Sequence, residues 1–123
     1  MQAFNNALAN TKGIRLTLPE NSIFHAGYKY YFFVEPECTR DGWNRDKIVA
    51  EIHSRGVPCF TGTCPEIYRE KAFTDLYDEQ ESLPVAKTLG ETSVMMNVHP
   101  GMTPELINQC ADVVRSVMDQ ASG

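Results

Sequence analysis

The chain has 123 residues, 42% of them hydrophobic and 22% charged, which is the balance of one compact globular domain and not of a disordered tail. Its net charge of −5, from 11 basic and 16 acidic residues with no basic run, excludes the phosphate-backbone footprint of a nucleic-acid binder. No stretch approaches the roughly 20 apolar residues of a membrane-spanning helix, and residues 1–10 have neither a basic start nor a long apolar core, so a cytoplasmic protein without membrane association is expected.

Residues 1–20 mix a little apolar pattern with Asn, Thr, Gly and Pro and read as a helix remnant and linker, with a domain boundary near Pro19 and a single domain over 21–123. Residues 28–35 crowd Tyr, Phe and Val into a central strand, with Tyr28, Tyr30, Phe32 and Val34 on one face and Tyr31 and Phe33 on the other. After a turn-rich stretch, Asn44 is placed to cap a helix that begins at Arg45. Ile48, Val49 and Ile52 recur there at helical spacing, and Gly56 supplies a left-handed stop. Residues 57–61 form a second short strand, followed by a sharp bend at Gly62.

From Cys64 onward the pattern weakens: a short helix over 66–73, an acidic loop over 74–82, and a helix opened by Pro84 that runs to Leu89. Residues 93–98 alternate as a third strand. Thr103 then caps a terminal helix with Pro104 at its first position and Glu105 against the positive end of the helix dipole. Leu106, Ile107, Cys110, Val113, Val114, Val117 and Met118 make one apolar stripe along it. The fold class that follows is α/β, in the α+β sense: a two-layer sandwich of a small, mainly antiparallel sheet with helices on one face.

Four cysteines, Cys38, Cys59, Cys64 and Cys110, are too sparse for a disulfide framework and read as reduced thiols. Cys59 and Cys64 with a histidine lack the close paired spacing of a structural zinc site, so no metal is expected. The aromatic residues of 28–33 have no basic neighbourhood for stacking nucleic-acid bases and read as core. His53, within the first helix, is assigned no role.

Read together, His25 and the aromatic strand, NRDKIVAEIHSRGVPC at 44–59, EIYREKAF at 66–73, LPVAKTLGETS at 83–93 and VHPGMTPELINQ at 98–109 resemble the last third of the DegT/DnrJ/StrS sugar aminotransferases. The resemblance implies fold type I and the family's C-terminal small domain, with a large cofactor-binding domain absent from the chain. It implies pyridoxal phosphate in the intact enzyme but no cofactor here, because none of Lys12, Lys29, Lys47, Lys71 and Lys87 corresponds to the Schiff-base lysine. No residue is expected to be catalytic.

Where the family often carries a His or Tyr, this chain has Thr61, Gly62, Thr63 and Cys64; the two Thr hydroxyls and the Gly62 backbone either meet a sugar or nucleotide or form an ordinary turn. His25 either approaches the substrate or holds a loop hydrogen bond, and His99 either contacts a ligand or shapes the turn before the last helix. The implied function is amino transfer to a keto-sugar nucleotide for surface polysaccharide synthesis, with the isolated chain inactive. A free-standing, small-ligand-binding or self-associating module is the alternative, and a homodimer is expected under both.

Overall fold

Among the described residues, four short strands form one sheet in the order β1-β2-β4-β3, with every neighbouring pair antiparallel. A computed structural model describes residues 1–73, 75–76 and 83–123. The elements run α1 (Gln2–Leu8), β1 (Ile14–Leu16), β2 (Lys29–Val34), α2 (Arg45–Ser54), β3 (Cys59–Phe60), α3 (Pro84–Thr92), β4 (Ser93–Asn97) and α4 (Pro104–Ala121). The aromatic strand β2 is interior, as its composition predicts, flanked by β1 and β4. Its register sets Tyr30 opposite Met96 and Phe32 opposite Val94.

Because side chains alternate along a strand, these pairs send one set of residues to a single face. Tyr30, Phe32, Val34, Val94, Met96 and Cys59 are buried there with Phe4 and Leu8 of α1, Ile48 and Ile52 of α2, and Val114, Val117 and Met118 of α4. Two layers with helices on one face is therefore the observed architecture. Local chemistry explains the helices: Asn44 Oδ1 accepts from the Lys47 N–H at 2.9 Å, and Thr103 Oγ1 accepts from the Leu106 N–H at 3.3 Å, so each cap satisfies a donor that the first turn leaves free. Gly56, at φ +84°, lets the chain leave α2.

The structure differs from the sequence pattern in several places. Segment 1–20 contains a strand that the pattern did not predict, and Phe4 and Leu8 of α1 are fully buried. Tyr28 is 79% exposed, not a core residue, because the sheet begins at Lys29. The strand expected over 57–61 is reduced to Cys59–Phe60, and the helix expected over 66–73 is two single 3₁₀ turns, Ile67–Arg69 and Lys71–Phe73. Helix α3 extends past Leu89 to Thr92 and passes directly into β4. At the start of the α4 stripe Leu106 is exposed, while Ala111 and Ala121 join the core. Apart from Asp75 and Leu76, the acidic loop expected over 74–82 lies outside the described residues.

Candidate functional site

The second face of the sheet has a different character. It carries Arg15 of β1, Lys29, Tyr31 and Phe33 of β2, Phe60 of β3, and Ser93 and Met95 of β4, by alternation with the core set. Tyr31 and Phe33 are only partly buried, and the Arg15 guanidinium lies 4.4 Å from the centre of the Phe33 ring, a cation–π contact that holds charge against an aromatic surface.

A pocket of about 260 Å³ opens on this face, and its lining includes Thr17, Pro19, His25, Lys29, Tyr31 and Phe33. The chain between β1 and β2 forms its wall. Gly27, at φ +67°, turns that chain so that its N–H donates to His25 Nδ1 at 2.9 Å. With Nδ1 acting as acceptor, the neutral ring carries its hydrogen on Nε2.

On the other side of Tyr31 lies the segment 61–64, read from sequence as either a sugar or nucleotide contact or an ordinary turn. The Thr61 carbonyl accepts from Ser93 Oγ at 2.8 Å and from Arg45 Nη1 at 3.5 Å, and the same Arg45 nitrogen donates to the Ser93 carbonyl at 2.8 Å. Arg45, only 13% exposed at its side chain, thus ties the start of α2 to β4 and to the start of the loop. Gly62, at φ +90°, then passes so close to the sheet that a Cβ there would lie 3.1 Å from Tyr31 Cε1 and 3.3 Å from Ser93 Oγ. Thr61 and Thr63 are exposed.

Of the five residues singled out from sequence, the structure places His25 in the pocket and Gly62 against Tyr31, the residue common to both. Thr61 and Thr63 flank Gly62. His99 lies in the turn after β4, where its carbonyl accepts from the Met102 N–H at 3.1 Å and its ring lies against Gly101; it does not line the pocket. Tyr31, Lys29, Thr17, Arg45 and Ser93 were not assigned to the site from sequence. The missed signal is that β2 is aromatic on both faces, although only one face can be covered by the helical layer.

The cysteines are not poised as nucleophiles. Burial pushes the Cys59 thiol up to about 11. Cys64, at the exposed end of the loop, is raised chiefly by its hydrogen bond to the Glu70 carboxylate, with burial second. Both therefore remain protonated thiols near neutrality, the weakly nucleophilic form. Among the described residues, no group of three His, Cys, Asp or Glu is arranged to hold a metal ion, and no helix is long and apolar enough to cross a membrane.

Comparison with solved structures identifies the architecture as the α/β small domain of aminotransferase structures. The aminotransferase from Psychrobacter cryohalolentis is 40% identical, with a TM-score of 0.87, over 98% of this chain and 33% of that one. S. venezuelae DesV in complex with a ketimine intermediate shares the fold at 17% identity and TM-score 0.81, over 96% of this chain and 30% of that one. E. coli GDP-4-keto-6-deoxy-D-mannose-3-dehydratase with bound hydrated PLP shares it at 12% identity and TM-score 0.74, over 92% and 28%. Residues 1–115 match the DegT/DnrJ/EryC1/StrS aminotransferase family, and the chain belongs to that family. It spans about a third of the length of the solved chains it matches. A search of curated proteins by sequence found no match.

Proposed function

We propose that the chain is the C-terminal small domain of a pyridoxal-phosphate-dependent enzyme that transfers an amino group to a keto-sugar nucleotide, in the synthesis of surface polysaccharide. It works in the cytoplasm within a homodimer and is inactive alone. The observation that carries this reading is the 40% identity to the Psychrobacter aminotransferase over 98% of this chain but only a third of that one. The remaining two thirds of such a chain would supply the cofactor site, which makes segment 21–123, together with the α1 and β1 residues packed on it, the substrate-side part.

The residues present do not fit pyridoxal phosphate by themselves. A lysine that carries the cofactor needs an enclosed site, with an acid for the pyridine nitrogen and a cradle for the phosphate. Lys12 donates to the Gly123 carbonyl at 2.7 Å and Lys47 to the Gly42 carbonyl at 3.3 Å, both at exposed positions, while Lys87 faces Glu91 on the surface of α3. Lys29 does line a pocket, but no carboxylate is among the described residues of its lining. The chain's own contribution is a wall: Tyr31 between the His25 pocket and the Gly62 turn, with the Thr61 and Thr63 hydroxyls exposed beside it.

A domain exchange tests this. Replacing the matching third of the Psychrobacter enzyme with these 123 residues is expected to give a folded chimera that retains pyridoxal phosphate and transfers an amino group to a keto-sugar nucleotide. The isolated chain is expected to show no new visible absorbance on adding pyridoxal phosphate. Covalent retention of the cofactor by one of the five lysines, or a folded, cofactor-loaded chimera without amino transfer to any sugar nucleotide, would overturn the reading.

A further inference from the structure

Strand β1 is a border of the sheet: β2 lies on one side of it and, among the described residues, no strand lies on the other. The Glu35 N–H donates to the Gly13 carbonyl at 2.8 Å, and in an antiparallel pair the bonded positions recur at every second residue. Arg15 therefore directs its backbone groups at Phe33, its opposite number, whereas Ile14 and Leu16 direct theirs outward. Continued past Thr17, the alternation turns Leu18 outward as well, since the residue before a proline favours extended backbone. Gly13, at φ +78°, and Pro19 bound this run of free donors and acceptors.

Natural sheet edges are usually guarded by charge or by a covering element. On its core side this edge presents only Ile14, Leu16 and Leu18, and Leu18 is 64% exposed. A groove of about 420 Å³ separates the row from α1, with Gln2, Asn5, Asn6 and Ala9 on the helix side. Asn5 has a buried Oδ1 without a hydrogen-bond partner among the described residues. An unmatched buried acceptor is costly, so amides brought against the groove would relieve it.

We infer that the free edge of β1 is a self-association surface, and that its occupant is β1 of a second copy, paired antiparallel about a two-fold axis at Leu16. Outward groups meet outward groups only when even-numbered residues face even-numbered ones. Centring the pair on Arg15 sets two guanidinium side chains directly opposite, which is unfavourable, and centring it on Thr17 sets Arg15 against Pro19, which has no N–H to donate. Centring it on Leu16 pairs Ile14 with the partner's Leu18 and Arg15 with the partner's Thr17, and every outward group from 14 to 18 finds its complement. The two-fold then joins two sheets into one with the helices on a common face, so that the grooves meet, Leu18 is covered and the amides of the two α1 helices approach each other. The pairing stands apart from the amino-transfer reading: its failure would leave that reading, whose test is the chimera, untouched.

Sedimentation velocity of the 123-residue chain over a range of concentrations should show a reversible dimer. Hydrogen exchange reads the register: with rising concentration the Ile14 and Leu16 amides should gain protection, while the Arg15 amide, already paired with β2, should not change. Leu18→Lys should weaken the dimer tenfold or more, whereas Val85→Lys, at an equally exposed apolar position on α3, should dimerise as the parent does. Symmetry forms the Arg15–Thr17 pair twice, so Thr17→Glu should tighten the dimer by about tenfold and Thr17→Lys should weaken it by a similar factor. All three positions are exposed, and an amide spectrum at low concentration that matches the parent's shows that each variant is folded. A chain that stays monomeric to about millimolar concentration, a Leu18→Lys dimer as tight as the parent's, loss of the dimer in Val85→Lys, or shifts of the same sign in Thr17→Glu and Thr17→Lys would overturn the pairing.

Discussion

Tyr30 and Tyr31 are neighbours in β2, yet the pleat sends one into a sealed core and the other to an open face. Tyr30 is 1% exposed, stacked on Phe4 at 4.8 Å between ring centres, in a layer that α1, α2 and α4 close. Tyr31 touches the Gly62 turn and lines the pocket of His25 and Lys29. Within β2 each face carries one tyrosine and one phenylalanine, yet the two faces have opposite tasks. What separates them is their surroundings: apolar helices on one side, and cations, hydroxyls and irregular chain on the other. Aromatic composition alone therefore does not mark a core.

The largest expected effect comes from truncating the same side chain on each face. Phe32 is fully buried, so Phe32→Ala should cost about 3–5 kcal/mol through lost burial and the cavity left behind. Phe33, partly buried beneath Arg15, should cost only about 1–2 kcal/mol on truncation. Urea unfolding of the two variants, compared at constant slope, measures the difference. Equal losses would mean that the open face is as fully packed as the core, and the contrast between the faces would fail.

The next effect is at the turn. Gly62 adopts φ +90° and Gly42 φ +79°, but a Cβ at Gly62 meets Tyr31 whereas one at Gly42 meets nothing within 4 Å. Gly42→Ala should therefore cost only the left-handed backbone penalty, about 1–2 kcal/mol. Gly62→Ala should cost more and should also shift the Tyr31 ring resonances. Identical losses with unmoved Tyr31 signals would show that the loop does not rest on the sheet.

Much of this architecture is legible in the sequence because it is set locally. Asn44 and Thr103 announce their helices, Gly56 ends one, and the period-two pattern gives β2 and β4. Strand β1 is not legible: Ile14–Leu16 is three residues long, too short for alternation to stand out, and it exists because it pairs with Phe32–Val34. The site is half legible for the same reason. His25 and Gly62 draw notice by residue type, but the residue that joins them, Tyr31, looks like core in a run of aromatics, and His99, read as either a ligand contact or a turn former, lies in the turn after β4. Arg45 and Ser93 gain their place only from contacts 48 residues apart in the chain.

The smallest effect sharpens the comparison within a single pair of residues. The Tyr30 hydroxyl is buried without a hydrogen-bond partner among the described residues, and an unmatched buried polar group is a cost that its removal relieves. Tyr30→Phe is thus expected to leave stability at neutral pH unchanged or to raise it by about 1 kcal/mol. Burial also pushes the Tyr30 phenol up to about 12, from 10. A phenol raised on folding stays neutral in the native state while the unfolded chain ionises; its contribution is fully present below pH 10 and is lost as the pH rises toward 12. Tyr30→Phe should accordingly flatten the alkaline limb of the stability curve. Unfolding midpoints at neutral pH and across this alkaline range test both parts. A Tyr30→Phe loss above about 1 kcal/mol at neutral pH would mean that the hydroxyl is satisfied, and the core face would then be less purely apolar than its sequence partner on the open side makes it look.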